Sequence, residues 1–159
     1  MGIIFEGTID GRGSRYALAA ARFNDLVVDR LVSGAHDELR RLGVDEAMID
    51  VAWVPGSFEL PVAVARLAAT GRYAGIVALG TVVRGSTAHF DYVAGQAASG
   101  LAAVALDTGV PVGFGVLTTD TMEQALDRAG GKMGNKGAEA ARTVLETASV
   151  LAKIDKGEA

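Results

Sequence analysis

The sequence has no cysteine, which excludes disulfides, thiolate nucleophiles and cysteine-ligated zinc, and agrees with a reducing compartment. Histidine occurs only as His36 and His89, and no His and Asp spacing suggests a metal site. Positive charge is also scarce. Fifteen Lys and Arg face 19 Asp and Glu, for a net charge of -4, so no broad basic field exists to attract nucleic acid or an anionic membrane surface. Any anion must be held locally. No uninterrupted apolar run approaches the roughly 20 residues that span a bilayer. The opening "MGIIFEGTID" carries acids and lacks a long apolar core, so it does not resemble a secretory signal, and the chain reads as cytosolic. Repeats, low-complexity segments and linkers are absent as well. What is present is 159 residues, 50% of them apolar, enough for one substantial core and a single domain over 1–159.

Short β-branched runs alternate with longer stretches of helical period, the pattern of βαβ units and an α/β sheet covered by helices on both faces. "SRYALAAARF" reads as a first strand, followed by a helix capped by Asn24 or Asp25, with Val27, Leu31, Ala35, Leu39 and Leu42 inward and Gly43 as its stop. "MIDVAWVPG" is a second strand. The next helix starts near Ser57, with Glu59 in its first turn, an early Pro61, and Gly71 at its end. "GIVALGTVV" is the third strand and "HFDYVAGQAASGLAAVALDTG" the third helix, turned inward at Val93, Ala97, Leu101 and Val104. "VPVGFGVLTT" is the fourth strand, and Thr121 to Gln124 has capping-box spacing for a short helix closed by Gly130-Gly131. "KMGNKG" reads as a polar kink before a last helix on Ala141, Val144, Leu145, Ala148 and Leu151, with residues 153–159 as a frayed tail. The arm over residues 1–10 contains "IIFEGTI", which alternates like an edge strand outside an already complete sheet and so suits pairing with another subunit.

Ligands of open parallel sheets bind beyond the carboxyl ends of the strands, which directs attention to four loops. The most informative is Arg84-Gly85-Ser86-Thr87-Ala88-His89. Gly85 permits close approach of backbone, Ser86 and Thr87 supply hydroxyls, and the helix N-terminus behind them favours negative charge, so a phosphate fits there. Ser and Thr in that place are equally ordinary caps. His89, two residues beyond, can exchange a proton with whatever the anion holds in place. Phe23 and Phe58 at adjacent strand ends suit stacking on a flat heterocycle, or simple packing beneath the loops. Glu59 can accept hydrogen bonds from ligand hydroxyls, although an acid in a first helical turn needs no ligand. Arg128 and Lys136 flank the glycine-rich kink, and Arg84 is most simply an ion-pair partner. "GFGVL" lacks the full dinucleotide pattern.

The segments "EGT", "RFND", "VAWVPGSFELP", "ALGTVVRGSTAHFDYV", "PVGFGVLTTDTMEQALDRAG" and "GNKGAEAA" occur in this order over nearly the whole chain. Together they resemble the 6,7-dimethyl-8-ribityllumazine synthase family of riboflavin biosynthesis. The resemblance implies a three-layer αβα sandwich around a four-stranded, mostly parallel, flavodoxin-like sheet. It implies a cofactor-free condensation of 5-amino-6-ribitylaminouracil with 3,4-dihydroxy-2-butanone 4-phosphate. Carried over by position, it implies that Phe23 stacks on the pyrimidine with Asn24 beside it, that Ser57, Phe58 and Glu59 line the pyrimidine and ribityl pocket, and that Thr81, Val82 and Val83 offer backbone groups to the uracil edge. It likewise implies that Gly85, Ser86 and Thr87 hold the phosphate with Arg128, that His89 moves protons, and that Lys136 lies near the ribityl and carbonyl groups.

In the family Arg128 and Phe114 reach the site from a neighbouring subunit, so the resemblance implies active sites at interfaces of a homopentamer. Some members assemble twelve pentamers into an icosahedral shell, which the short "GGKMGNKG" favours, and such a shell can enclose riboflavin synthase. Small departures from the family pattern fall at Ser86, Ala88 and Phe90. Rival readings are an archaeal-type riboflavin synthase, a noncatalytic riboflavin or lumazine binder of the same fold, and a shell protein without chemistry.

Overall fold

Four runs of β-branched and small apolar residues form the sheet of the computed structural model, which describes residues 1–159. They are β1 (Tyr16–Ala21), β2 (Ile49–Val54), β3 (Gly75–Val83) and β4 (Val112–Thr119). All pair in parallel, in the order β2-β1-β3-β4. Every residue of β1, and all of β3 up to Val82, is buried, because an inner parallel strand is covered on both faces and needs a continuous apolar run. Edge strand β2 alternates instead, with Val51 and Trp53 exposed.

Alternate residues of the inner strands feed two separate cores. Leu18, Val77 and Leu79 meet Val27, Leu31 and Leu39 of α1 (Asp25–Arg41) and Val144 and Leu145 of α5 (Lys136–Lys156). Ala17, Ala19, Ile76 and Ala78 meet Leu60 and Val64 of α2 (Leu60–Ala69) and Leu101 and Val104 of α3 (His89–Thr108). These layers make the three-layer α/β sandwich expected from the sequence. The connection from β1 leads to β2 on one side and the next crosses to β3 on the other, so the strand order reverses about β1. That reversal is where open α/β sheets place a crevice at their carboxyl rim.

The expected capping box is formed: Thr121 Oγ1 accepts the Gln124 amide at 3.1 Å, and Gln124 Oε1 accepts the Thr121 amide at 3.3 Å. It starts α4 (Met122–Asp127), after which the expected kink is a tight antiparallel hairpin of β5 (Ala129–Gly131) and β6 (Gly134–Asn135). At the amino rim, the Asp50 carboxylate accepts from the Tyr73 hydroxyl at 2.7 Å and from the Arg15 guanidinium at 2.9 Å. These hydrogen bonds, the tyrosine's first, hold the Asp50 carboxyl below its ordinary range. The link is therefore intact at neutral pH and weakens as pH falls through that depressed value.

One segment differs from expectation. Residues 153–156, read as frayed, continue α5, because Gly157 adopts a left-handed φ of 68° and the amides of residues 157 and 158 cap Ile154 and Lys153. The arm over residues 1–10 forms no strand within the chain. It lies along α5, with Thr8 donating its amide to Ser149 Oγ at 3.0 Å, and leaves Ile3 and Ile4 exposed.

Close contact between α1 and α5 depends on Gly137, where a Cβ would collide with the Leu31 carbonyl. Gly137→Ala should lower the unfolding free energy by about 1–3 kcal/mol in urea titration. A variant as stable as the parent would contradict this contact.

Candidate active site

Strand β1 stops early. Its last partner on β3 is Leu79, opposite Ala20, while β3 continues to Val83. Beyond Ala21 the chain peels away toward β2, where Arg22 donates its amide to Val54 at 2.7 Å and Phe23 donates to Pro55 at 2.9 Å. The gap left between β1 and β3 is a cleft of about 650 Å³ at the strand-order reversal. It brings together Phe23, Asn24, Ser57, Phe58, Glu59, Thr81, Val82, Val83, Gly85, Thr87 and His89. These are residues expected from sequence, gathered from three loops and one strand end.

Phe23 is 72% exposed and Phe58 59% exposed, so neither ring is packing beneath its loop and both offer a face to the cleft. Ser57 is buried beside Gly80, where a Cβ would press on its hydroxyl. Glu59 forms no ion pair within the chain. Asn24 stands at the N-cap of α1, as expected, but its side chain caps nothing there. It donates from Nδ2 to the Thr81 carbonyl at 2.9 Å instead. The Thr81 hydroxyl, by contrast, is buried without any partner.

The anion-cradle loop leaves the start of α3 open. Ala88 at the N-cap position supplies no side-chain bond, and Thr87 Oγ1 receives the His89 amide only at a long 3.4 Å. Ser86 does not line the cleft and makes no hydrogen bond within the chain. A Cβ on Gly85 would meet nothing within 4 Å. The fold itself therefore does not require glycine here, and the space is left for something else to approach. His89 is exposed at the first residue of α3. Phe90, Tyr92 and Val93 add to the wall; the sequence reading missed them as site residues, although 92 and 93 follow His89 at helical spacing.

No Lys or Arg lines the cleft. Arg84, next to the cradle, is committed elsewhere: its Nε donates to Asp120 at 3.0 Å, its Nη1 lies 3.5 Å from Asp91, and its guanidinium sits 4.4 Å from the Phe90 ring centroid. The expected cations lie apart. Arg128, Lys136 and Phe114 line a second cavity of about 440 Å³ along the outer edge of β4, which shares no residue with the cleft. Arg128 donates to the Gln124 carbonyl at 3.0 Å, and neither it nor Lys136 meets a carboxylate in an ion pair. Lys136, expected with the ribityl pocket, thus groups with Arg128 and Phe114. No cluster of three or more His, Asp or Glu that could hold a metal forms, and no helix is long and apolar enough to cross a membrane.

The sequence profile of a family described as 6,7-dimethyl-8-ribityllumazine synthase matches residues 13–152. The chain belongs to this family. Proteins named 6,7-dimethyl-8-ribityllumazine synthase are 57% identical over 150 residues in Edwardsiella ictaluri (strain 93-146) and 55% identical over 149 residues in Nitratidesulfovibrio vulgaris (strain DSM 19637 / Miyazaki F). In both, the match spans 94% of this chain and 96% of the relative. The lumazine synthase profile begins after the arm, and within it fall both the cleft and the Arg128 cavity.

An unpartnered buried hydroxyl costs about 1–3 kcal/mol. Thr81→Val keeps the β-branched shape and removes that group, so it should raise the unfolding free energy by about 1 kcal/mol. A destabilised variant would show that the hydroxyl has a partner.

Proposed function

We propose that this chain condenses 5-amino-6-(D-ribitylamino)uracil with 3,4-dihydroxy-2-butanone 4-phosphate to 6,7-dimethyl-8-ribityllumazine, phosphate and water, the penultimate step of riboflavin biosynthesis, in the cytoplasm. One observation carries the reading. In a member of this family, a single cleft at the sheet's reversal point joins exposed aromatic rings, a free carboxylate, a strand end left open on its β1 side, an open helix N-terminus and a histidine. No feature favours a noncatalytic binder.

Each group matches a demand of the two substrates. Phe23 stacks on the pyrimidine, Phe58 and Ser57 complete its pocket, and Glu59 accepts hydrogen bonds from ribityl hydroxyls. Of the strand end at Thr81, Val82 and Val83, the peptide groups directed away from β4 meet the uracil edge as an added strand would. Gly85, Ser86 and Thr87 receive the phosphate at the start of α3. The substrate amine attacks the ketone and loses water to form an imine. Elimination expels phosphate, and the second nitrogen closes the ring with loss of another water. His89 moves the protons of these steps, and no cofactor is required. Holding two substrates in register contributes more than the proton transfers, since oriented reactants reach effective molarities of roughly 10⁵ M or higher.

The cleft lacks the cation a phosphate needs, while Arg128 is unpaired at an exposed sheet edge. We therefore assign Arg128, Phe114 and Lys136 to the cleft of a neighbouring subunit, in a homopentamer whose active sites lie at interfaces. Twelve such pentamers form an icosahedral shell able to enclose riboflavin synthase, and the arm "IIFEGTI" adds as a strand to a neighbour's sheet. Light scattering of the purified protein should give the mass of sixty copies; a lone pentamer would overturn the shell.

Mixing the protein with both substrates should produce lumazine absorbance. His89→Ala should lower turnover by about 10²–10⁴ while leaving measurable activity. Arg128→Ala should chiefly raise KM for the phosphorylated ketone. Unchanged turnover in the His89 variant would remove its proton-transfer role, and no product from the parent protein would refute the activity.

A further inference from the structure

Asn24 is the one non-glycine residue with a positive φ, at φ 63° and ψ 46°. Left-handed backbone is unfavourable for any residue with a Cβ, and asparagine is among the side chains that tolerate it best. Asparagine at an N-cap ordinarily accepts an amide of the first helical turn, which this one does not do. Both departures from the local optimum serve one contact, the 2.9 Å hydrogen bond from Nδ2 to the Thr81 carbonyl across 57 positions of sequence.

The place of that contact in the sheet explains its use. Successive residues of a strand direct their peptide groups to opposite neighbours. Arg84 donates its amide to Thr119, so Arg84 and Val82 face β4, whereas Thr81 and Val83 face the side from which β1 has withdrawn. The Asn24 carboxamide stands in for the missing β1 residue at Thr81. Val83, one step further out, is left with its peptide groups directed over the cleft. Residue 24 also follows Phe23, whose amide is tied to Pro55 at 2.9 Å. A flat heterocycle that stacks on Phe23 and bonds Val83 therefore meets two surfaces whose spacing is set through Asn24.

We propose that Asn24 is a positioning residue: its carboxamide replaces β1 at the end of β3 and fixes the ligand-reading peptide edge at Val83 relative to the stacking ring of Phe23. Its effect is confined to the pyrimidine half of the site, since the cradle at Gly85 to Thr87 lies on the α3 side. This inference rests on the activity proposed above.

Two variants separate the carboxamide from the backbone geometry. Asn24→Gly accepts a positive φ without a Cβ penalty and removes the donor, while Asn24→Asp keeps the size and sets an acceptor against the Thr81 carbonyl. Steady-state kinetics with each substrate varied in turn, beside thermal melts, should give a KM for the pyrimidine raised about tenfold or more in both. The KM for the butanone phosphate should change less than about twofold, and the melting temperature of the Gly variant should stay near the parent's. Parent-like pyrimidine KM in either folded variant overturns the proposal. So do equal losses for both substrates with lowered melting temperatures, which would mark a structural residue only. Absence of turnover in the parent protein would instead refute the activity itself.

Discussion

Two neighbouring strands of unequal reach govern the chemistry of this molecule. β1 ends at Ala21 and its chain turns to β2, while β3 runs on to Val83. Had the two ended together, their ladder would have consumed the peptide groups at Thr81 and Val83 and closed the crevice. The divergence happens where the strand order reverses, so helices α1 and α2 lie on opposite faces and cannot cover the opening. Everything the cleft presents follows from this: the Phe23 ring on the departing chain, the Asn24 bridge across the gap, and the start of α3 beside the extended end of β3.

Charge then decides how the site is completed. At the phosphate site proposed above, an anion at Gly85 to Thr87 would find helix amides and hydroxyls, but the neighbouring Arg84 is already shared between Asp91 and Asp120. Those carboxylates lock the loop to the end of β4 and remove the guanidinium from service as a phosphate ligand. On the far edge of the same sheet, Arg128 has the opposite condition, a guanidinium with no carboxylate. A cradle without a cation and a cation without an anion are complementary surfaces of one chain. In the assembly proposed above, repetition around a rotation axis would join them and make assembly a condition of catalysis.

Much of this was legible in the sequence because the relevant signals are local. Continuous apolar runs marked inner strands, the Thr121 to Gln124 spacing marked α4, and small donors ahead of His89 marked the open helix start. What escaped depended on partners distant in sequence or on conformation. Asn24 reads as a cap until the Thr81 carbonyl appears 57 positions away. Gly157 is a local stop signal, yet a charged tail obscured it and the helix runs to Lys156. The grouping of Lys136 with Arg128 follows from the β5–β6 hairpin, whose tightness composition did not reveal.

The central claim is that a working site takes its cleft from one subunit and its Arg128 from the next. Dissociating His89→Ala and Arg128→Ala proteins, mixing them in equal amounts and reassembling them tests it directly. If sites are shared, random pairing restores an intact combination at about one interface in four, and activity rises to that fraction of the parent's. If each chain carries a whole site, the mixture, assayed with the phosphorylated ketone below its KM, stays at the mean of the two impaired variants.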